Sequence, residues 1–197
     1  MQYLSPKTQC EFEQVIKHSR FIAKLNPIQS AQDAKLWLKD CHASYPDARH
    51  ICWAYIAGAP NTTEQSMSDD GEPSGTAGKP MLNVLQHADV GDIAVAVIRY
   101  FGGVKLGTGG LVKAYSSSTV EVLKLATLTL TEEQKKLSFS LAFADESVLR
   151  YHLQRINGEL ISIDYKEAIT AHCLIATSQE TSFLQSLPHT IQLIDHV

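Results

Sequence analysis

Two glycine-rich segments constrain this chain more than any other feature of its sequence. The first occupies residues 68–80 and reads SDDGEPSGTAGKP, and the second occupies residues 99–110 and reads RYFGGVKLGTGG. Each segment leads directly into a helical pattern of apolar residues, so each places backbone N–H groups at the start of a helix. Because such groups attract phosphates and carboxylates, we expect both segments to serve ligand binding rather than the fold alone.

The first 131 residues predict a mixed α+β order of strands and helices. Period-two alternation, continuous apolar runs and helical spacing mark successive elements. Residues 58–79 have no periodicity, and a loop of that length inside a domain is usually functional or disordered. In chain order the predicted elements are strands at 10–17 and 20–25, a helix from a Ser30 cap to about Tyr45, a buried strand at 51–57, a short helix from Pro80, a buried strand at 93–101 and a long helix with an apolar face from Leu111 to Leu125.

The remaining residues predict a β-α-β-β-α-β order, which is that of ferredoxin-like domains. A polar break at residues 130–133 separates the long helix from the next strand, so we predict one domain at 1–131 and a second at 132–197. The predicted elements of the second domain are a strand at 137–143, a helix between an Asp145 cap and Gly158, strands at 159–164 and 167–175, a helix with a Thr177–Glu180 capping box and a strand at 191–194.

Composition and charge exclude several classes of protein. Residues 1–131 carry 12 basic and 12 acidic side chains, and residues 132–197 carry 5 and 9, which gives the net charge of −4. Neither part has the basic excess that indiscriminate binding to a phosphate backbone requires. The 4 cysteines lack zinc-site spacing, and there is no signal-peptide pattern and no run of about 18 or more apolar residues. We therefore expect a soluble cytoplasmic protein without membrane contact, cofactor or resident metal.

The first glycine-rich segment is a candidate anion-binding turn. Glycines let successive N–H groups converge, and the helix that begins at Pro80 adds partial positive charge. The alternative is a structural loop whose backbone needs left-handed angles. The candidate ligand-binding residues here are Ser68, Gly75, Thr76, Ala77, Gly78 and Lys79.

The second glycine-rich segment has the same physical features. It is neither a Walker A loop nor a dinucleotide fingerprint, because it lacks Gly-Lys-Ser/Thr and has Val112 where the last glycine would stand. The alternative is a bend that packs the long helix closely on the strand at 93–101. The candidate anion-binding residues are Arg99, Lys105, Gly107, Thr108, Gly109, Gly110 and Lys113.

Acidic residues near the first segment raise the question of catalysis. In an extended chain Asp70 and Glu72 share one face, so they could act as acid and base or hold Mg²⁺ together, with Asp69 as a further metal candidate. The alternative is a solvated turn at Asp70-Gly71. Arg49 and His50 precede a buried strand, which makes Arg49 a candidate ligand-binding residue and His50, with Asp70 and Glu72, a candidate catalytic residue. No Ser-His-Asp arrangement can be recognised.

The two glycine-rich segments, extended to residues 68–82 and 99–115, resemble the signature of the YigZ/IMPACT family. Arg49-His50 matches the shorter upstream motif of that family. The resemblance covers about residues 1–128, and the rest is similar to the small C-terminal domain of bacterial members. It implies a ribosomal protein S5 domain 2-like α+β domain followed by a ferredoxin-like domain, a pair that resembles the last two domains of elongation factor G.

The resemblance also implies a function in translation. Eukaryotic members compete for the activator of a stress-responsive kinase that phosphorylates an initiation factor. We therefore expect a non-catalytic regulatory protein whose glycine-rich surface binds RNA, the ribosome or a translation-associated protein. The alternative is a hydrolase or transferase that acts on a phosphorylated or carboxylated small molecule. A third hypothesis, recognition by the open sheet of the second domain, is disfavoured because that domain is acidic and lacks the aromatic residues of an RNA-recognition motif.

Overall fold

The structure divides the chain into two units, Gln2–Thr131 and Glu132–Val197. The computed structural model describes residues 2–166 and 168–196. Met1, Glu167 and Val197 lie outside the described residues, so the predicted start of a strand at Glu167 lies outside them too. Both units combine antiparallel sheets with helices, which confirms the α+β class. No helix in the described part of the chain is long and apolar enough to span a membrane.

The first unit has helices on both faces of a sheet. Its elements in chain order are β1 (Gln2–Pro6), β2 (Cys10–Ile16), β3 (Ser19–Pro27), α1 (Ala31–Ser44), β4 (His50–Ile56), β5 (Gln65–Ser68), α2 (Gly78–His87), β6 (Ile93–Tyr100), α3 (Gly107–Leu125) and β7 (Leu128–Glu132). Five strands form an antiparallel sheet in the order β2-β3-β6-β4-β5, and β1 pairs with β7.

The central strand β6 shows why this sheet is covered on both sides. Its sequence is IAVAVIRY, and every residue up to Arg99 is buried. Val95 and Val97 join the core under α2 and α3, whereas Ala94 and Ala96 join the core under α1. A strand with two buried faces needs a continuous run of apolar residues. Arg99 is exceptional because it is a charged side chain buried at the end of that run.

The second unit is a four-stranded antiparallel sheet with two helices. Its elements are β8 (Gln134–Leu141), α4 (Glu146–Arg155), β9 (Glu159–Tyr165), β10 (Ile169–Ala176), α5 (Glu180–Ser186) and β11 (Gln192–His196). The strand order is β11-β8-β10-β9. Leu149, Leu153 and Phe183 from the helices pack with Phe139 in one core. The β-α-β-β-α-β element order agrees with the sequence prediction.

Three short strands were absent from the sequence prediction. Strand β5 lies inside the stretch 58–79, which we predicted to have no regular structure. Strands β1 and β7 pair with each other, and β7 covers most of the predicted polar break at 130–133. Each has five residues or fewer, so its alternation is too brief to separate from a loop.

The predicted helix ends have mixed outcomes. The Ser30 cap is confirmed, because its hydroxyl accepts the N–H of Asp33. Asp145 is at the N-cap of α4 as predicted, although its side chain makes no capping hydrogen bond. The Thr177–Glu180 capping box is wrong, because Thr177 lies in a 3₁₀ turn and Gln179 is the N-cap of α5. Helix α2 begins at Gly78, two residues before the predicted Pro80, and Leu125 on the predicted apolar face of α3 is exposed.

All four cysteines are free thiols, as their scattered positions predict. Cys41, Cys52 and Cys173 are buried, and Cys10 is partly buried. Burial raises the pKa of Cys41 to about 11 and the pKa of Cys52 and Cys173 to about 12. These three thiols therefore stay protonated near neutral pH and serve as small apolar core residues.

Candidate functional site

The two glycine-rich segments meet in one cleft of the first unit. The cleft has a volume of about 420 Å³. Arg49 and His50 line it from the start of β4, and Glu72 and Pro73 line it from the first segment. The second segment supplies Arg99, Phe101, Lys105, Leu106, Gly107, Thr108 and Leu111.

Sheet register explains how distant residues reach this cleft. Strands β4 and β6 are antiparallel, and His50 lies directly opposite Arg99. Strand β3 flanks β6 on its other side, where Phe21 is opposite Arg99. The chain leaves β6 after Tyr100 and enters α3 at Gly107. The cleft is therefore at the end of the central strand, beside the N-terminus of α3.

A buried ion pair forms the wall of the cleft. Nη1 of Arg99 donates to Oε1 of Glu72 at 2.6 Å, and the two side chains are only 7% and 4% exposed. The hydroxyl of Tyr115 donates to the same oxygen at 2.8 Å. Burial, with smaller contributions from Cys52 and Glu72, raises the pKa of Tyr115, so its hydroxyl keeps the proton that it donates. This network holds the Glu72 carboxylate in a structural role.

The guanidinium of Arg99 is only partly satisfied. Its carbon lies 5.5 Å from the ring centre of Phe21 and 5.7 Å from that of Phe101. Nη2 makes a long contact of 3.5 Å with Oγ of Ser19. Nε is buried and has no hydrogen-bond partner among the residues that the structure describes. A buried donor of this kind is costly unless something accepts its proton.

The structure corrects the prediction that Asp70 and Glu72 share a face. Asp70 has φ 41° and Gly71 has φ 80°, so the chain turns between them instead of running extended. Oδ2 of Asp70 accepts the backbone N–H of Ile51 at 2.6 Å, while Glu72 binds Arg99. Among the described residues, no group of three or more His, Cys, Asp or Glu side chains could hold a metal ion.

The structure also corrects the prediction that the first turn offers its amides to a ligand. Oδ2 of Asp69 accepts the N–H of Gly75 at 2.7 Å, and Oδ1 accepts those of Ala77 and Gly78 at 2.9 and 2.8 Å. The N–H of Thr76 donates to a backbone carbonyl within the same turn. The carboxylate of Asp69 thus fills the anion cradle from within the protein.

His50 is fixed by the same turn. Its Nδ1 lies 2.7 Å from the carbonyl oxygen of Asp70, which can only accept, so Nδ1 carries the proton. The other ring nitrogen, Nε2, is then an acceptor while the imidazole is neutral. Ser68 also supports the turn, since its hydroxyl accepts the N–H of Asp70 at 3.1 Å.

The second turn lines the cleft at the start of α3. Gly107, with φ 73°, and Thr108 line the cleft at the start of α3, a helix of 19 residues. No side chain of the described residues caps that helix. The first N–H groups and the helix dipole therefore give this side of the cleft partial positive charge. Lys105 lines the cleft beside them.

The structure separates the remaining candidates from the cleft. Gly109 and Gly110 lie within α3, and Lys79 and Lys113 are exposed elsewhere on the first unit. None of these four residues lines the cleft. Sequence reasoning did not name as site residues either Phe101, which lines the cleft, or Tyr115, a buried core residue whose hydroxyl binds Glu72. Phe101 is 49% exposed, and its position inside a glycine-rich turn after a buried strand was the available signal.

Comparisons with known proteins identify the family. Residues 17–123 match the model of the Impact N-terminal domain. An IMPACT family member from Haemophilus influenzae is 38% identical over 181 residues, covering 91% of this chain and 87% of that protein. The IMPACT family member YigZ from Escherichia coli is 36% identical over 186 residues, covering 94% and 91%.

A solved structure shares the fold along the whole chain. It is titled as the crystal structure of a hypothetical protein, is 32% identical, and aligns with a TM-score of 0.81 over 100% of this chain and 98% of that one. The α+β fold and the match to the family model place the chain in the class of proteins that carry an Impact N-terminal domain. The chain belongs to the IMPACT family, which confirms the resemblance of its two glycine-rich segments.

Proposed function

We propose that this protein is a non-catalytic, translation-linked RNA-binding protein that holds RNA phosphate in the cleft of its first unit. The observation that carries the proposal is the buried Arg99, whose Nε has no partner among the described residues. A ligand oxygen in the cleft would satisfy this donor. Phosphate and carboxylate are the two anions that the planar guanidinium of arginine recognises best.

The charge of the cleft favours an anion. Three cationic side chains, those of Arg49, Arg99 and Lys105, line the cleft together with one carboxylate, that of Glu72. This carboxylate already binds Arg99 and Tyr115. The N-terminus of α3 adds partial positive charge to the same space. Local charge of this kind offsets the lack of a basic excess in the chain as a whole.

The exposed ring of Phe101 favours RNA over other anionic partners. Bases stack on exposed aromatic rings beside a basic groove in many proteins that bind single-stranded nucleic acid. Phe101 lines the cleft and its ring lies against the guanidinium of Arg99. A single-stranded segment, including one presented by the ribosome, would place its phosphate and its base side by side on these two residues.

The enzymatic alternative has little support in the geometry. Asp69 caps α2, Asp70 holds a backbone N–H of β4, and Glu72 holds Arg99. Each of these carboxylates is thus engaged in at least one structural hydrogen bond or ion pair. Catalysis would then depend on His50 alone, without a nucleophile or a second acid–base group.

The proposal also covers the domain architecture and the cellular location of this protein. We propose a ribosomal protein S5 domain 2-like domain at residues 1–131 and a ferredoxin-like domain at 132–197, in a cytoplasmic protein. The strand order β11-β8-β10-β9 supports the second assignment. The helices on both faces of the five-stranded sheet are compatible with the ribosomal protein S5 domain 2-like assignment.

A charge-matched pair of double variants tests RNA binding. Arg49→Ala with Lys105→Ala removes two cleft charges, and Lys79→Ala with Lys113→Ala removes two exposed charges outside it. We expect the cleft variant to bind a fluorescent single-stranded RNA about tenfold more weakly or worse, because each charged hydrogen bond contributes about 1.5–3 kcal/mol. The control variant should bind within about twofold of the parent, because surface charges away from a contact contribute little.

Sedimentation with ribosomes provides the second measurement. The parent should sediment with ribosomes at low ionic strength, and the cleft variant should not. Equal losses in both double variants would mean general electrostatic attraction rather than a cleft. Absence of RNA and ribosome binding by the parent at low salt would refute the proposal.

A further inference from the structure

We infer that the cleft recognises the phosphorylated end of an RNA chain, a terminal phosphomonoester, rather than phosphodiesters along its backbone. This inference rests on the proposed function, since it specifies which part of RNA enters the cleft. An RNA end and a free nucleotide share this chemistry, since both are nucleosides that carry a terminal phosphate. Three features support the inference: the size of the cleft, the geometry of Arg99 and the arrangement of charge.

The size of the cleft matches one nucleotide. A volume of about 420 Å³ lies in the range of sites for small ligands, roughly 300–1,000 Å³. One wall is closed by the buried pair of Glu72 and Arg99. A phosphodiester inside an RNA chain must have covalent continuations on both sides, whereas a terminal phosphate has only one. A closed wall therefore favours a chain end.

Arg99 lines the cleft, and the hydrogen bonds of its guanidinium are incomplete. A guanidinium is planar, and its Nε and Nη2 groups form one edge that can donate two parallel hydrogen bonds to phosphate oxygens. In Arg99 the opposite group, Nη1, is taken by Glu72. Nη2 has a 3.5 Å contact with the buried Ser19, and the buried Nε has no partner among the described residues.

The surrounding charges favour a dianion over a monoanion. A terminal phosphate carries about −1.5 to −2 charges near pH 7, whereas a phosphodiester carries one. Arg49 and Lys105 line the cleft together with Arg99, and the uncapped start of α3 at Gly107 and Thr108 completes the positive side. Both contributions, from side chains and from the helix dipole, increase with the charge of the ligand.

Oligonucleotides with defined ends test this inference. The full chain is titrated with one single-stranded RNA sequence of ten nucleotides in three forms, with a 5′-phosphate, with a 3′-phosphate and with hydroxyl groups at both ends. We expect one phosphorylated form to bind at least about tenfold more tightly than the hydroxyl form. Arg49→Ala with Lys105→Ala should abolish that difference, and Lys79→Ala with Lys113→Ala should retain it.

The outcomes separate this inference from the proposed function. Equal affinity for all three forms, with loss of affinity in the cleft variant, would overturn end recognition and leave RNA binding intact. No binding of any form would overturn both. Free nucleoside 5′-monophosphate that binds as tightly as phosphorylated RNA would assign the cleft to free nucleotides and would overturn the RNA end as its ligand.

Arg99→Lys provides an independent measurement at the proposed contact. Lysine keeps the charge opposite Glu72 but lacks the planar guanidinium, so the variant should lose most of the preference for the phosphorylated end, whatever its affinity for hydroxyl-ended RNA. Thermal unfolding of the variant establishes that it folds, and Thr108→Val tests the same preference at the start of α3 if it does not. Retention of the full preference in a folded Arg99→Lys protein would contradict the assigned geometry.

Discussion

Three neighbouring acids of the first glycine-rich segment hold three different parts of the first unit. Asp69 accepts N–H groups at the start of α2, Asp70 accepts the N–H of Ile51 in β4, and Glu72 pairs with Arg99 of β6. Each carboxylate therefore fixes one side of a loop that has little regular structure of its own. All three acids, which the sequence offered as catalytic or metal-binding candidates, therefore make structural contacts at or beside the cleft.

Removal of Glu72 tests how much the buried pair contributes to stability. Glu72→Ala should lower the free energy of unfolding by about 3–5 kcal/mol, because it leaves the Arg99 charge buried without a counterion. Urea unfolding followed by circular dichroism measures the loss. Glu64→Ala, at an exposed acid earlier in the same connection, is the matched control and should change stability by less than about 0.5 kcal/mol.

A double variant separates lost attraction from unpaired charge. Glu72→Ala combined with Arg99→Met removes both charges, so it should be more stable than Glu72→Ala alone. If the double variant loses the sum of the two single effects, the two side chains do not interact energetically, and the ion pair is not what holds the wall.

At this scale the sequence predicts where polar residues gather but not which groups they bind. The glycine content and the neighbouring charges mark both segments. The partner of Asp69 depends on the left-handed turn at Asp70 and Gly71, which reverses the chain and aims its neighbours at different donors. An assumption of extended backbone therefore misplaced all three acids. The buried position of Arg99 could be read from the apolar strand that precedes it.

At the scale of elements, the end of β6 is held by a close backbone approach. A Cβ on Gly102 would lie 2.0 Å from the carbonyl oxygen of His18, in the turn between β2 and β3. The N–H of Gly102 also donates to Oγ of Ser19, the residue that contacts Arg99. Gly109 differs, because no described atom outside its own helix lies within 4 Å of the corresponding position.

This difference predicts opposite effects of the same substitution. Gly102→Ala should lower the free energy of unfolding by about 1–3 kcal/mol, because the hairpin must move away from β6. Gly109→Ala should raise it by about 0.5–1 kcal/mol, since alanine is a better helix residue at an open position. Thermal or urea unfolding of the two variants provides the comparison. Equal free energies of unfolding for the two variants would show that the hairpin of β2 and β3 moves away from Gly102 without a loss of stability.

Elements were predictable from sequence where they are long or strongly periodic. The apolar runs of β4 and β6 and the spacing of α1 and α3 are confirmed. Strands β1, β5 and β7 were missed because each has five residues or fewer, too few for its alternation to be distinguished from a loop. The predicted capping box failed because a 3₁₀ turn at Thr177–Gln179 precedes α5 and puts Gln179, not Thr177, at its N-cap.

At the scale of the whole molecule, charge is distributed unevenly. The chain has a net charge of −4, and residues 1–131 are neutral overall. The cleft nevertheless concentrates three cationic side chains on one short stretch of surface. A protein of this kind attracts an anion locally while the rest of its surface gives no general attraction for nucleic acid. Its affinity for RNA should therefore depend on few ionic contacts.

This charge distribution predicts a shallow salt dependence. Each phosphate contact with a single strand contributes a slope of about −0.7 when the logarithm of the association constant is plotted against the logarithm of salt concentration. We expect a total slope of roughly −1 to −2 for phosphorylated RNA between about 50 and 200 mM salt, measured by fluorescence anisotropy. Arg49→Ala with Lys105→Ala should bring the slope close to zero, whereas Lys79→Ala with Lys113→Ala should leave it unchanged. A slope steeper than about −4 would require a long phosphate track, which a single cleft on a neutral unit does not provide.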